Sequence, residues 1–238
     1  MCWPFAIRKD HVIFDGDMLM TPQRASEIYF RSGRAQAEFL WPNGVISFIF
    51  DSGFTSNQTQ TLRSVMEKIS ANTCIKFKEI LEDQASQMKH VKIKTGEMGC
   101  WSFVGFQNVH EQILNFNERC FGKIGVLFHE LLHTVGLFHM QNDNTRDEYV
   151  QIVWDNIKDD MKQNFVKYDT TISSNYDVPY DYESVMHYAK KSFSKNGKDT
   201  IVPLQPNNAE MGQRLGPTEK DYERVRKMYK CSSSTNSS

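Results

Sequence analysis

The sequence predicts a protein of the α+β class, and the order of its local patterns supports this assignment. Segments with the apolar pattern of strands, and one segment with helical spacing, fall early in the chain. An irregular stretch and a last helix follow, so strands and helices do not alternate regularly. The length of 238 residues suits one domain with a short appendage and is ample to bury a core.

The individual elements follow from patterns taken in order along the chain. Residues 45–50, Val-Ile-Ser-Phe-Ile-Phe, are rich in β-formers and predict a strand. Residues 56–71 predict a helix because apolar side chains recur at helical spacing, at Leu62, Val65, Met66 and Ile69. Further patterns predict strands at 75–81 and 90–94, a buried helix at 123–135, a short helix at 159–166, and a final helix with an N-cap signal at 218–221 that 224–229 completes.

Composition and charge are those of an ordinary globular protein. The chain is 39% hydrophobic and 24% charged, and its net charge of −1 gives no strong field that would favour nucleic acid or an anionic membrane. No apolar run reaches the roughly 18–20 residues that a membrane span needs. The apolar stretch 3–7 is ended by Arg8 too early for a signal peptide. We expect that a secretion signal has been removed or that the chain is incomplete at this end, since the cysteines disfavour the third option, cytosolic residence.

The cysteines favour an exported protein. There are five, Cys2, Cys74, Cys100, Cys120 and Cys231. None has the Cys-x-x-Cys spacing of a thiolate zinc site or a redox motif. The four later cysteines allow three pairings, and two disulfides are favoured over buried free thiols, with Cys2 as the odd residue.

The two ends of the chain differ from the part between them. Residues 1–34 hold scattered charges and end in Arg31-Ser-Gly-Arg34, a pattern that suits cleavage by a trypsin-like protease and is also that of a solvated turn. Residues 35–231 have the pattern of a folded domain. The tail, 232–238, contains only Ser, Thr and Asn and is predicted to be disordered.

One stretch carries the chemistry, His129-Glu-Leu-Leu-His133-Thr-Val-Gly136-Leu-Phe-His139. Residues four apart share a helix face, so His129 and His133 can direct imidazole nitrogens at one ion. Gly136 can adopt the left-handed conformation that ends a helix, which lets the chain turn back and bring His139 as a third ligand. Three neutral nitrogen ligands suit Zn²⁺ and leave one position for water, as in a catalytic site.

The complete pattern is far more specific than its parts. Two histidines four apart are common on solvated helix faces, but the whole pattern is expected by chance with a probability on the order of 10⁻⁵ in such a chain. The apolar residues between the histidines bury the helix, and one metal ion supplies the partner that buried histidines need. Zn²⁺ acidifies its bound water, and Glu130 is the candidate general base that takes the proton.

Beyond this motif the sequence resembles the metzincin metalloproteases, and within them the astacin family, over nearly the whole chain. The run Tyr180-Asp-Tyr-Glu-Ser-Val-Met186-His-Tyr188 looks like the Met-turn of that family. The resemblance implies that Met186 lies beneath the metal and that Tyr188 is a zinc ligand that swings to stabilise the oxyanion. Taken alone, the two residues would be interpreted as a core methionine and a structural aromatic.

Other stretches carry the same resemblance. Leu40-Trp-Pro-Asn-Gly44 is similar to the start of a mature astacin domain, and 99–105 with Cys120 is similar to the short disulfide loop. The resemblance implies the disulfides Cys100–Cys120 and Cys74–Cys231. It also implies a bilobal fold, with a twisted mixed sheet and helices in the N-terminal lobe, a mostly irregular C-terminal lobe with a terminal helix, and substrate extended along an edge strand near residues 91–94.

The stretch Phe14-Asp-Gly-Asp17-Met18 is similar to the pro-segment motif of the family. The resemblance implies that Asp17 binds zinc in place of water and keeps the precursor inactive until an activating protease removes residues 1–34. Two positions depart from the family, because Met140 replaces the usual glutamate after the third histidine and Asp143 replaces an arginine. The ion pair of that glutamate with a freed N-terminal amine is therefore not expected here.

These observations favour a secreted endopeptidase with one Zn²⁺ per chain that acts on protein or peptide substrates. The alternative is a zinc-containing binding protein of the same fold with impaired catalysis. Met140 keeps this alternative open, whereas the intact Glu130 and Tyr188 disfavour it. A purely structural zinc site is disfavoured because only three strong ligands are apparent.

Overall fold

A computed structural model describes residues 6–8, 11–22, 39–170, 172–205 and 208–232 of the chain. Cys2, the Arg31–Arg34 stretch and residues 233–238 lie outside the described residues. The α+β class is confirmed, since a mixed sheet and most of the helical residues fall in the first part of the fold and mainly turns and 3-10 helices follow.

A mixed sheet dominates the first part of the fold. Among the described residues it holds eight strands, β1 (Ala6–Arg8), β2 (His11–Phe14), β3 (Met18–Met20), β4 (Val45–Phe50), β5 (Lys76–Glu79), β6 (His90–Lys94), β7 (Cys100–Phe103) and β8 (Glu111–Phe116). They lie side by side in the order β1-β2-β3-β7-β8-β6-β4-β5. The pairs β3–β7, β4–β5, β4–β6 and β6–β8 are parallel, and the other neighbours are antiparallel.

The predicted strand at 45–50 and the predicted helix at 56–71 form the core of this sheet layer. Helix α1 (Ser56–Asn72) begins after Thr55, whose hydroxyl accepts from the Gln58 N–H while the Gln58 side chain accepts from the Thr55 N–H. The four apolar side chains that predicted the helix are at most 3% exposed. They share one core cluster with Ile46 and Phe48 of β4, so the apolar face of α1 packs on the sheet.

The other elements are short or lie near the end of the described chain. Helix α2 (Glu82–Ala85) follows β5, α3 (Ile124–Val135) is the predicted buried helix, and α4 (Glu219–Met228) is the predicted last helix. The predicted helix at 159–166 is a 3-10 helix, Asp159–Phe165. Strand β9 (Val150–Ile152) pairs antiparallel with β10 (Ile201–Pro203). None of the described helices is both long enough and apolar enough to cross a membrane.

The prediction that residues 91–94 form an edge strand is wrong. These residues belong to β6, which pairs with β8 on one side and with β4 on the other. Neither side of β6 is free to receive an extended substrate. The N-terminal segment instead adds β3 to the outer side of β7, so β7 is the strand whose edge that segment covers.

Two disulfides join distant parts of the described chain. Cys74 is bonded to Cys231 and Cys100 to Cys120, across sequence separations of 157 and 20 residues. These are the pairings that the family resemblance implies. The long bridge ties the region after α1 to the residue that follows the last helix, and the short bridge ties β7 to the turn before α3.

Gly125 lies in the first turn of α3, directly against the backbone of Arg214. A Cβ atom at Gly125 would lie 2.2–2.6 Å from backbone atoms of Arg214. We expect Gly125→Ala to lower the free energy of unfolding by about 1–3 kcal/mol, because backbone must move to accept the methyl group. Thermal unfolding measures the effect, and Gly122→Ala is the control since no atom lies within 4 Å of the Cβ position there. Equal melting temperatures would contradict this expectation.

Candidate active site

Helix α3 and the turn after it place the three histidines of the motif together. His129 and His133 lie one turn apart, with ring centroids separated by 4.6 Å. The helix ends at Gly136, which has a φ of +128° and donates its N–H to the carbonyls of Leu132 and His133. The chain then reverses, which brings the His139 ring to 4.7 Å from that of His133. All three histidines are at most 1% exposed.

The three histidines and Asp17 each direct a donor atom at one centre. Their Nε2 atoms lie 3.1–3.2 Å from one another, and the Asp17 carboxylate oxygens lie 3.0–3.6 Å from these nitrogens. Four ligands placed tetrahedrally at the usual zinc distances of about 2.0–2.2 Å would be about 3.3–3.6 Å apart. The spacing and the chemistry of this set, three nitrogens and a carboxylate, therefore fit Zn²⁺.

Backbone carbonyls hold two of the histidine rings in the orientation that a metal needs. Nδ1 of His129 lies 2.8 Å from the Val185 oxygen, and Nδ1 of His133 lies 2.7 Å from the Leu137 oxygen. A carbonyl can only accept, so each Nδ1 carries the proton and each Nε2 keeps a lone pair for the metal. Nδ1 of His139 lies 3.0 Å from an Asp15 oxygen, but off the N–H direction, so this contact is electrostatic.

Burial and the nearby carboxylates shift the pKa values of the three histidines in opposite directions. Burial lowers the pKa of His129 to about 3 and also lowers the pKa of His133. Burial opposes protonation of His139 too, but the carboxylates of Asp17 and Asp15 outweigh it and raise that pKa to about 9. A divalent cation at this centre would place positive charge close to both carboxylates.

Glu130 lies next to the first histidine and is 2% exposed. Its Oε2 atom has no hydrogen-bond partner among the described residues. Burial raises the pKa of Glu130 well above its ordinary value, the Asp17 charge raises it further, and the Arg214 guanidinium opposes both. A buried carboxylate with a raised pKa and an unpaired oxygen is suited to accept a proton from a bound reactant.

The Met-turn is fastened to the start of the last helix. Met186 is 2% exposed, and its N–H donates to the Ser184 hydroxyl at 3.0 Å. The Asp221 carboxylate accepts from the Ser184 hydroxyl at 2.6 Å and from the Val185 N–H at 3.0 Å. Because the Val185 carbonyl faces His129, helix α4 helps to fix the ring of a candidate metal ligand.

Tyr188 contacts the N-terminal segment rather than the four-donor centre. Its hydroxyl lies 2.7 Å from the main-chain oxygen of Asp15 and 3.2 Å from the Asp15 Oδ1. Its ring centroid lies 4.7 Å from that of His139. Tyr188, which the family resemblance implies is a zinc ligand, therefore lies close to His139, but its hydroxyl donates to Asp15.

The N-terminal segment reaches the site through a tight turn at residues 15–17. The Asp17 carbonyl accepts from the Ser102 N–H of β7 at 3.0 Å, which anchors the turn to the sheet. Gly16 has a φ of +86°, and a Cβ atom there would lie 2.8 Å from the Tyr188 hydroxyl. Glycine is therefore required both by the backbone conformation and by the close approach.

The two positions expected to depart from the family are Met140 and Asp143. Met140 is buried, and its main-chain N–H donates to the Met186 carbonyl at 3.0 Å. The Asp143 carboxylate accepts from the N–H and the hydroxyl of Thr145. The absence of an ion pair with a freed N-terminal amine stays a prediction, since the Arg31–Arg34 stretch lies outside the described residues.

Three residues of the site are missed by the sequence analysis. Asp15 belongs to the pro-segment motif, but the motif assigns a role only to Asp17. Asp221 lies in the N-cap pattern at 218–221, which indicates the start of a helix and not its bond to the Met-turn. Arg214, whose charge acts on Glu130, carries no local signal.

Comparison with known proteins agrees with these features. The family model for Astacin, a family of peptidases, matches residues 33–230. Zinc metalloproteinase nas-14 of Caenorhabditis elegans is 38% identical over 192 residues, which cover 81% of this chain and 37% of the relative. Seminal metalloprotease 1 of Drosophila melanogaster is 35% identical over 225 residues, which cover 92% of this chain and 86% of the relative. The chain thus spans little more than a third of nas-14 and most of the second relative.

Solved structures show the same likeness. High choriolytic enzyme 1, a hatching enzyme zinc-protease from Oryzias latipes, matches with a TM-score of 0.73 at 32% identity, over 82% of this chain and 96% of that chain. Myroilysin, with a TM-score of 0.60 at 20% identity, shares the fold over 83% of this chain and 98% of that chain. Because the family model spans most of the sequence and the fold agrees, this chain belongs to the astacin family of peptidases.

Proposed function

We propose that this chain is a secreted, zinc-dependent endopeptidase made as a latent precursor. The observation that carries the proposal is Glu130, a buried carboxylate with an unpaired oxygen beside a four-donor metal centre. A structural zinc site has no use for such a group. The names of the relatives, which include zinc metalloproteinases and a hatching enzyme zinc-protease, support the same activity.

In the proposed reaction, His129, His133 and His139 hold one Zn²⁺. When bound, this ion acidifies water and polarises the scissile carbonyl. Glu130 accepts a proton from the attacking water and returns it to the leaving amine. The burial that raises the pKa of Glu130 supports this role, because it makes the carboxylate a stronger base.

Tyr188 and Met186 complete the proposed site. The Tyr188 hydroxyl donates a hydrogen bond to the oxyanion once the N-terminal segment has left. Its closeness to the His139 ring supports this assignment. Met186 lies in the turn whose Val185 carbonyl orients His129, so its proposed role is to position a ligand.

Latency is the second part of the proposal. Residues 1–34 are the pro-segment, 35–231 are the catalytic domain and 232–238 are a polar tail. Asp17 takes the place of the reacting water, and the 3.0–3.6 Å separation of its oxygens from the histidine nitrogens supports this. An activating protease then cuts within Arg31–Arg34. The pairing of β3 with β7 supports a segment that also covers the strand on which substrate would lie, and the two disulfides support export.

The competing function is a zinc-containing binding protein without turnover. Met140 favours it, since a buried methionine replaces the residue that couples maturation to activity in the family. Glu130 opposes it, because a protein that does not turn over gains nothing from a buried and unpaired carboxylate.

Hydrolysis assays before and after limited trypsin cleavage at residues 31–34 separate the two functions. We expect the purified zinc-loaded chain to cleave casein and a quenched-fluorescence peptide at least about tenfold faster after cleavage. A chelator should abolish the activity and added Zn²⁺ should restore it, because the proposed reaction needs the ion to acidify the attacking water. A cleaved sample that holds one zinc per chain and hydrolyses neither substrate would favour the binding protein.

A further inference from the structure

Asp15, two positions before the proposed inhibitory aspartate, is held more firmly than Asp17 itself. Its side chain is fully buried, whereas that of Asp17 is 25% exposed. Asp15 also has a φ of +52°, the left-handed conformation that aspartate adopts more readily than most residues with a β-carbon. The first aspartate of the turn is therefore an attachment point in its own right.

Four polar side chains among the described residues converge on Asp15, and three of them donate hydrogen bonds to it. Its Oδ2 accepts from the Tyr168 hydroxyl at 2.9 Å and from the Asn142 side-chain N–H. The Tyr188 hydroxyl lies within hydrogen-bonding distance of Oδ1 and of the main-chain oxygen. Nδ1 of His139 makes the electrostatic contact at 3.0 Å. All four residues belong to the proposed catalytic domain, and three of them, Tyr168, Asn142 and Tyr188, are outside the four-donor group.

The contacts with Asp15 prevent the Tyr188 hydroxyl from acting in the proposed reaction. A tyrosine hydroxyl has one proton to donate, and that of Tyr188 is directed at two oxygens of Asp15. The same proton cannot stabilise an oxyanion while the segment is bound. The backbone at Gly16 closely approaches the same hydroxyl, since a Cβ atom at Gly16 would lie 2.8 Å from it.

The Asp15 carboxylate also lies against His139, the third proposed metal ligand. A carboxylate behind a histidine ligand makes that ligand more basic and strengthens metal binding. Asp15 thus stabilises the closed precursor through the tyrosine and through His139.

We propose that Asp15 is a second, metal-independent latch that holds the precursor closed by sequestering Tyr188 and backing His139. This inference rests on the proposed function and adds a regulation to it. Asp17 alone would block only the water position. With both aspartates in place, displacement of Asp17 from the metal leaves Tyr188 still bound, so activation requires release of the whole turn.

The test compares the full chain with Asp15→Asn, Asp17→Asn and the double variant, each zinc-loaded and uncleaved. We expect Asp17→Asn alone to stay well below the cleaved enzyme, and the added Asp15→Asn to raise hydrolysis at least about tenfold. Asparagine keeps the size of the side chain but removes the charge and turns an N–H toward donors. After cleavage all four proteins should have the same kcat/KM, because both residues leave with the segment.

Two readouts do not depend on activity. The melting temperature of the metal-free, uncleaved chain should fall in Asp15→Asn but not in Asp83→Asn, whose exposed carboxylate lies far from the site in α2. Zinc affinity of the uncleaved chain should fall by about tenfold in Asp15→Asn.

Tyr168→Phe leaves the segment unchanged and removes one donor to Asp15. In the Asp17→Asn background it should therefore raise the activity of the uncleaved chain, as Asp15→Asn does.

The possible failures are distinguishable. If Asp17→Asn alone reaches the activity of the cleaved enzyme, and Asp15→Asn alters neither activity nor the metal-free melting temperature, the second latch does not exist. If no cleaved protein with bound zinc hydrolyses any substrate, the proposed function fails. The melting temperatures and zinc affinities of the uncleaved variants still decide whether Asp15 holds the segment.

Discussion

Glu130→Gln should lower kcat/KM of the cleaved, zinc-loaded chain by about 10²- to 10⁴-fold, the usual contribution of a positioned general base. Glutamine has nearly the same shape but cannot accept a proton at neutral pH. Zinc content should be unchanged, because Glu130 is not one of the four residues that face the metal centre. Steady-state hydrolysis of a quenched-fluorescence peptide, with zinc measured per chain, tests the expectation.

The environment of Glu130 supplies a way to separate lost chemistry from lost folding. The carboxylate is buried with one oxygen unpaired, and a neutral amide is less costly to bury there than a charge. The melting temperature of Glu130→Gln should therefore be no lower than that of the unaltered chain. Glu148→Gln, a change at an exposed glutamate, should alter neither quantity. A loss below tenfold at full zinc occupancy would remove Glu130 from the proposed mechanism.

The parts of the site that sequence predicts are those set by local spacing. His129 and His133 meet because residues four apart share a helix face, and His139 joins them because Gly136 ends the helix at a fixed distance. The core helix α1 is predicted for a similar reason, since its apolar side chains recur with the helical period. Such features depend only on the spacing of residues close together in the chain, and this spacing can be read from the sequence.

The parts that local patterns miss depend on contacts between distant segments. Asp15 meets Tyr168 and Tyr188 across 153 and 173 positions. Asp221 meets Ser184 across 37 positions, although its own neighbourhood indicates only a helix start. No short-range pattern encodes these partners, so the polar layer behind the metal ligands becomes visible only once the chain is folded.

The sheet shows the same limit in another form. Alternating apolar residues at 90–94 predict a strand, but whether that strand is central or at an edge depends on which neighbours it finds. Strand β3 is three residues long and gives no sequence signal, yet it covers β7. The expectation of an edge strand at 91–94 fails because strand order is a property of the whole topology.

His133→Gln should have the second large effect, because it removes a ligand and also a structural contact. The Nε2 atom of His133 lies 3.1–3.2 Å from those of the other two histidines, so no neighbour can replace it without moving. Four-ligand zinc sites bind with roughly 10–16 kcal/mol, about 3 kcal/mol per ligand, so zinc affinity of the cleaved chain should fall at least about 10²-fold. Peptide hydrolysis should be lost at ordinary zinc concentrations.

The uncleaved precursor provides the more discriminating half of the experiment. Asp17 lies 3.2 Å from the nitrogen of His129 and 3.0 Å from that of His139, so the uncleaved variant keeps three donors where the cleaved variant keeps two. Competitive zinc titration should therefore show a smaller loss in the uncleaved form than in the cleaved form. The control is His110→Gln, which alters an exposed histidine directly before β8. It should change the zinc affinity of neither the cleaved nor the uncleaved form. Equal losses in the two forms would mean that Asp17 is not a metal ligand, and latency would then have to rest on the turn and on Asp15 alone.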